Sequence, residues 1–259
     1  MLSARLLLFA LPLVFAAAPV SAAAPDPAGD NPFGSADPYR ACVAAVDVKA
    51  DDAFEMALIW RDRGGGVPAE RCAALALIAL DEPGEAAARL NALAQRPDAG
   101  TVTVRAAILA QSGNAWLLAA QVENAEAAFS AALKLTPNDA QIWTDRARAR
   151  AVRQDWANAE ADLTSALARD RARPETYVLR ASARKAQGNQ GGYKADIDAA
   201  LSLDPTYPEA LVERGALKMT AGDAAGARAD FLQVLLRAPE GPAADAVRSR
   251  IEALEVRNP

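Results

Sequence analysis

Apolar and small residues between positions 105 and 239 recur at helical spacing, and the pattern itself repeats every 34 residues. Phe129, Leu163, Ile197 and Phe231 each follow the last by that interval. A small residue stands four places before three of them, as Ala125, Ala159 and Ala227, and Tyr193 is the one departure. A second small position follows as Ala132, Ala166 and Ala200, then Val234. Pro137, Pro205 and Pro239 keep the same stride, with Arg171 in the fourth place. A fixed period of this length is the mark of supersecondary units that stack on one another, because a single unit cannot bury its apolar side alone. The pattern predicts four units, about 106–139, 140–173, 174–207 and 208–241, each made of a helix, a turn, a second helix and a proline-marked exit. The turns fall at Gln154-Asp155, Gly188-Asn189 and Gly222-Asp223.

The flanks keep the rhythm more loosely. Residues 37 to 100 read as irregular helix pairs capping the stack. Asp37-Pro38 is an N-cap followed by proline at the first helical position, opening a helix to about Val46. A second helix, Asp51 to Arg63, carries Phe54, Leu58 and Ile59 on one stripe and stops at three glycines. Pro68 to Leu80 and Gly84 to Gln95 make the next pair, and Thr101 caps a helix reaching about Gln121. Residues 242 to 259 hold a closing helix, Ala243 to Arg257, with Asp245, Arg248 and Glu252 outward. Residues 23 to 36 are too polar and proline-rich to bury a core and read as a leader. Residues 1 to 22 have the layout of a secretory signal: Arg5, an apolar run from Leu6 to Ala18, then small residues at the cleavage site. A retained anchor is the competing reading, but Pro12 and Pro19 interrupt a run shorter than the roughly 20 apolar residues of a span. The expectation is therefore an exported, periplasmic protein with no membrane span after cleavage.

Composition narrows the chemistry. Hydrophobic residues are 52% of the 259 while aromatics are 5%, so the apolar content is mostly alanine and leucine, which suits closely packed helices. The net charge of -5 and the lack of basic runs give nucleic acid no electrostatic footprint. The chain has no histidine, which removes the commonest general base and metal ligand together. No cofactor is expected. Cys42 and Cys72 are the only cysteines; each lies on the first helix of a neighbouring pair, which suits a disulfide in an exported protein, the alternative being two separate buried thiols.

The four units resemble tetratricopeptide repeats. That family sets a large residue fourth, here Leu109, Trp143, Tyr177 and Leu211, and a small one eighth, here Gly113, Ala147, Ala181 and Gly215. The alanine, Phe/Leu/Ile and proline positions above match its twentieth, twenty-fourth, twenty-seventh and thirty-second places. The resemblance implies an all-α, right-handed solenoid of stacked antiparallel helix pairs that binds a peptide or partner protein along its concave face. Carried over, the groove positions include Asn114, Leu117, Gln141, Thr144, Arg148, Glu175, Ser182, Lys185, Glu209 and Met219. The variant of this groove that grips a terminal carboxylate is not matched, since Asn114 fits its pattern but Ala110, Gln141 and Asp145 do not.

Comparison among the units exposes a pairing. Where the seventh position is arginine (Arg146, Arg180, Arg214), the twenty-third is aspartate (Asp162, Asp196, Asp230); the unit with Ser112 has Ala128 there. Three ion pairs within units are expected, the alternative being a row of arginines that read a ligand. The function expected is a non-catalytic, monomeric scaffold for a protein or peptide, not an enzyme. Two other readings stay open: a small-ligand-binding or cell-wall-associated enzyme accessory protein using carboxylates such as Glu175 and Glu209, and a self-associating structural component.

Overall fold

The computed structural model describes residues 31–257, with side chains to Leu254. The expected signal segment and the leader up to residue 30 lie outside the described residues. Among the described residues every regular element is helical. They run α1 (Pro38–Val48), α2 (Ala50–Trp60), a wide helical turn (Arg61–Gly65), α3 (Gly66–Ala79), α4 (Pro83–Gln95), α5 (Val102–Leu118), α6 (Val122–Leu135), α7 (Ala140–Val152), α8 (Trp156–Arg169), α9 (Pro174–Ala186), α10 (Gln190–Leu203), α11 (Pro208–Thr220), α12 (Ala224–Arg237) and α13 (Pro242–Arg257). The fold is an all-α solenoid. It divides into two compact units, one holding α1 to α7 and the other α8 to α13. In each, every helix packs on the next, and alternate helices also touch: α5 with α7, α9 with α11, and α11 with α13. The division falls inside the unit expected at 140–173, between its two helices.

The helix boundaries follow from backbone chemistry. Asp37 and Thr101 accept hydrogen bonds from the amides of Arg40 and Val104, as N-caps do. At the turn inside each regular unit one residue takes a left-handed conformation: Ala120 (φ 56°), Gln154 (60°), Gly188 (77°) and Gly222 (81°). The next residue caps the second helix, with Asp155, Asn189 and Asp223 accepting from Asn158, Gly192 and Gly226. The left-handed Ala120 stops α5 at Leu118, short of the expected Gln121.

The second helix departs from expectation. α2 ends at Trp60, and the chain enters α3 at Gly66 through the wide turn. Its fully buried face is Ala53, Ala57 and Trp60; of the expected stripe, Phe54 and Leu58 are partly buried against the core while Ile59 is 44% exposed. Trp60 causes this. Its indole lies over Gly65, where a Cβ would come within 2.5 Å of the ring, and Phe33 meets the indole edge-on at 5.9 Å. Cys42 on α1 and Cys72 on α3 form a disulfide across a Cα separation of 6.2 Å, both fully buried beside Ala57 and Ala73.

Within the units, first and second helices cross on small side chains. Ala125, Ala132, Ala159, Ala166, Ala181, Ala200 and Ala227 have no exposed surface. The eighth and twenty-fourth positions are matched in size. Gly113 faces Phe129 and Gly215 faces Phe231; a Cβ at either glycine would stand 2.6 or 2.3 Å from the ring. Where the twenty-fourth residue is the smaller Ile197, the eighth is Ala181. Crowding of this kind costs about 1–3 kcal/mol. Gly215→Ala is therefore expected to lower stability by about that amount. Adding Phe231→Leu should return part of the loss, and urea melts of the two variants beside the parent check it. If the double variant melts below Gly215→Ala, the size-matching account is wrong.

Candidate functional site

The strongest arrangement of charge is a ladder between helices. Arg180 on α9 grips Asp196 on α10 with both ends of its guanidinium, Nε to Oδ2 at 3.0 Å and Nη2 to Oδ1 at 2.7 Å. Arg214 on α11 holds Asp230 on α12 in the same way, at 2.9 and 2.7 Å. Both aspartates are buried, with 2% and 3% of their surface exposed. The third expected pair, Arg146 and Asp162, has its members in different compact units.

Sequence reasoning missed a second cation on each aspartate. The eleventh position carries Arg184, 2.9 Å from Asp196, and Lys218, 2.8 Å from Asp230. The same position reaches back to the preceding unit: Arg184 meets Glu160 at 2.8 Å and Arg150 meets Glu126 at 2.9 Å. The seventh arginine also reaches back, Arg180 donating to Thr164 Oγ1 and Arg146 to Ser130 Oγ. The signal was present in the chain, since Arg150, Arg184 and Lys218 stand 34 apart. The ladder thus ties neighbouring helix pairs together as well as the helices within a pair.

Tyr193, the departure among the small twentieth positions, has a matching partner in the following pair. Its hydroxyl donates to Glu213 Oε2 at 2.5 Å, and Lys185 Nζ donates to the same oxygen at 2.9 Å while lying 5.0 Å from the Tyr193 ring centre. Burial, and then the hydrogen bond to Glu213, push the Tyr193 phenol far above its ordinary value.

The residues carried over to the groove are placed unevenly. Asn114 and Leu117 on α5 are partly buried. Thr144 is fully buried and its hydroxyl donates to the Ala140 carbonyl, so no ligand can reach it. Val178 and Val212, at the same place in the later units, are buried too. The fifth position in this chain faces the core, because it lies on the stripe that meets the neighbouring pair. Gln141 and Arg148 both point inward to the buried Asp145, at 2.8 and 2.5 Å. Lys185 is engaged with Glu213, as above. Ser182 is exposed and donates to the Val178 carbonyl within its own helix. Met219 is partly buried against the core of the C-terminal unit. Glu175 and Glu209 occupy the same place on α9 and α11, whose helices touch. Burial raises the Glu209 carboxyl above the usual carboxylate range, and the negative charge of Glu175 adds to the shift.

The comparisons bear on this geometry. No protein-family model matches the sequence. No curated protein matches it either. Solved structures do share the helical fold. A MamA fragment from Desulfovibrio magneticus RS-1 is 20% identical over 66% of this chain and 94% of that one, with a TM-score of 0.56. An IFIT1 monomeric mutant with Gppp-AAAA is 10% identical over 87% of this chain and 54% of that one, with a TM-score of 0.66. The tetratricopeptide domain of Arabidopsis OM64 is 26% identical over 46% of this chain and 99% of that one, with a TM-score of 0.45. The chain has the tetratricopeptide-repeat fold.

The first helices of the pairs α9–α10 and α11–α12 carry the ladder's cations. Leaving an aspartate without its partner strands a buried charge, at about 3–5 kcal/mol. Asp196→Ala should therefore cost on the order of 3 kcal/mol, and Arg180→Ala, Asp196→Ala together less than the sum of the single losses by at least about 1 kcal/mol. Denaturant melts of the four proteins measure the coupling, and additive losses would break the pairing argument.

A pH effect follows as well. Burial alone would raise the Asp230 carboxyl, but hydrogen bonds from Arg214 and Lys218 outweigh it and hold the group below the usual carboxylate range. Its folded value is thus depressed, so its stabilisation is complete above the unfolded value of about 3.9 and is lost as pH falls through the folded one. Asp230→Asn should lower stability at neutral pH and flatten the acid limb below about pH 4 in melts run across pH. An acid limb of unchanged steepness would remove Asp230 from the titration.

Proposed function

We propose that the protein is an exported periplasmic scaffold that works without catalysis, holding a basic peptide segment or partner protein on the first helices of its tetratricopeptide repeats. The observation that carries this reading is the pair Glu175 and Glu209. The two carboxylates stand at the same place on touching helices, and burial together with the negative charge of Glu175 raises the Glu209 carboxyl, which a bound cation would relieve. The basic groove positions Arg148 and Lys185 are held by carboxylates of the chain, Asp145 and Glu213. An extended segment with lysine or arginine suits the remaining face, with selectivity from charge and affinity from flanking apolar side chains such as Met219. Export is supported by the signal-like layout of residues 1 to 22 and by the Cys42–Cys72 disulfide, which persists in oxidising compartments. Among the described residues no helix is long and apolar enough to cross a membrane.

The experiment is binding of fluorescent peptides, lysine-rich against glutamate-rich, to the parent and to Glu175→Gln, Glu209→Gln. Lysine-rich peptides should bind the parent with preference, and the double variant should lose about tenfold in affinity. Equal binding of both peptides, or an unchanged affinity in the variant, overturns the reading. Cell fractionation and N-terminal sequencing test export, the expected mature start lying just after Ala22 or Ala23.

A further inference from the structure

The first regular unit lacks the ladder, and a hollow lies where the ladder would be. Ser112 and Ala128 stand in place of the seventh arginine and the twenty-third aspartate, and Trp116 in place of the eleventh cation. Ser112 turns its hydroxyl to the Ala87 carbonyl at 2.8 Å instead. The result is a depression of about 200 Å³ lined by Asn91 of α4, Trp116 of α5, and Asn124, Ala127, Ala128 and Ala131 of α6. In the later units the corresponding space is taken by guanidinium and carboxylate, as with Arg180, Arg184 and Asp196.

We propose that this hollow binds one neutral, polyhydroxylated or acetamido ring, of the chemical class of a monosaccharide unit. Three observations select that class. The lining has no charged side chain, so neither an anion nor a cation finds a counter-charge in it. Its polar groups are two carboxamides and an indole N–H, which offer donors and acceptors together. Among the described residues the Asn91 side chain and the Trp116 Nε1 make no intramolecular hydrogen bond, and Asn124 uses one amide proton on Gln121 Oε1 at 2.8 Å, leaving its carbonyl oxygen. The rest of the lining is Trp116, Ala127, Ala128 and Ala131, whose apolar surface suits the C–H face of a saturated ring. The volume lies under the roughly 300–1,000 Å³ of pockets for drug-sized ligands, which limits the occupant to about one ring. The hollow uses none of the carried-over groove positions, so it would act beside a peptide face rather than as part of it.

The test is saturation-transfer NMR on the full mature chain with glucose and N-acetylglucosamine as probes, and lysine and acetate as charged controls. Transfer to at least one sugar, and none to the controls, is expected. Ala127 is exposed, so Ala127→Phe fills the hollow without touching the core and should abolish the transfer. Asn91→Ala should weaken binding by about fivefold, the effect of losing one or two hydrogen bonds. Circular dichroism melts confirm that both variants fold. Absence of transfer to both sugars overturns the proposal. So does transfer that survives Ala127→Phe, which would place the sugar elsewhere, or transfer to the controls that Ala127→Phe removes, which would mean the hollow accepts charge. Peptide binding by the Glu175→Gln, Glu209→Gln variant does not enter any of these outcomes, so the two readings stand or fall separately.

Discussion

Helix pairs in this chain can stack because each closes on a side chain no larger than alanine. A methyl at the crossing lets two helix axes approach, and the approach brings the bulky twenty-fourth residue into full burial, as with Phe129, Ile197 and Phe231. Where that residue is phenylalanine, even the methyl is too much, and glycine stands opposite. The pairing of Gly113 with Phe129 and Gly215 with Phe231 therefore sets the spacing in those two helix pairs, as the smaller Ile197 with Ala181 does between α9 and α10. The ladder bridges such crossings between α9 and α10 and between α11 and α12. An arginine fork reaches an aspartate on the facing helix at 2.7 to 3.0 Å, and dispersion alone would not hold so polar a pair inside the stack.

Burying a carboxylate is costly unless its lone pairs are filled, and the ladder fills them twice over. Asp196 and Asp230 each receive a guanidinium from the seventh position and a second cation from the eleventh. Because Arg184 also meets Glu160 in the preceding pair, part of the compensation comes from the neighbour. The charge in one hairpin is thus satisfied only when the next hairpin is in place. This makes stacking specific in register as well as favourable in area, since a slipped neighbour would separate Glu160 from Arg184. Tyr193 uses the same logic with different groups. It breaks the small-residue rule at its own crossing, and its hydroxyl serves the buried Glu213 of the following pair.

The fold was legible in the sequence because the 34-residue period writes each contact four times over. The paired arginine and aspartate positions were legible for the same reason, since each unit serves as a comparison for the others. What a period cannot show is direction. The carried-over groove positions assumed that the fifth place faces outward, yet Thr144, Val178 and Val212 are all inside. Residues such as Gln141 and Arg148 are polar and surface-like in sequence, but the buried Asp145 draws both inward. The eleventh-position cations went unread because surface helices carry arginine and lysine at random places, and only the aspartate they meet marks these as different. In the irregular N-terminal pairs there was no second copy to compare, so the stripe of α2 was read only in part: Phe54 and Leu58 do pack against the core, but Ile59 is exposed and the fully buried positions are Ala53, Ala57 and Trp60, whose indole lies over Gly65.

The distribution of engaged and unengaged groups then constrains what kind of recognition the molecule can offer. A cation already held at 2.9 Å by a buried carboxylate, as Lys185 is by Glu213, must break that contact before it can serve a ligand, and the stranded carboxylate would oppose it. The structure's own ion pairs thereby withdraw most of its basic side chains from binding. Two features differ from those held cations: an acidic pair, Glu175 and Glu209, on the first helices of the C-terminal unit, and an uncharged hollow in the N-terminal unit where the ladder is missing. The hollow arises from departures in an otherwise regular repeat, with Ser112, Trp116 and Ala128 replacing charged residues. In a stack whose regular positions are committed to holding neighbours together, the irregular positions are the ones left to meet something else.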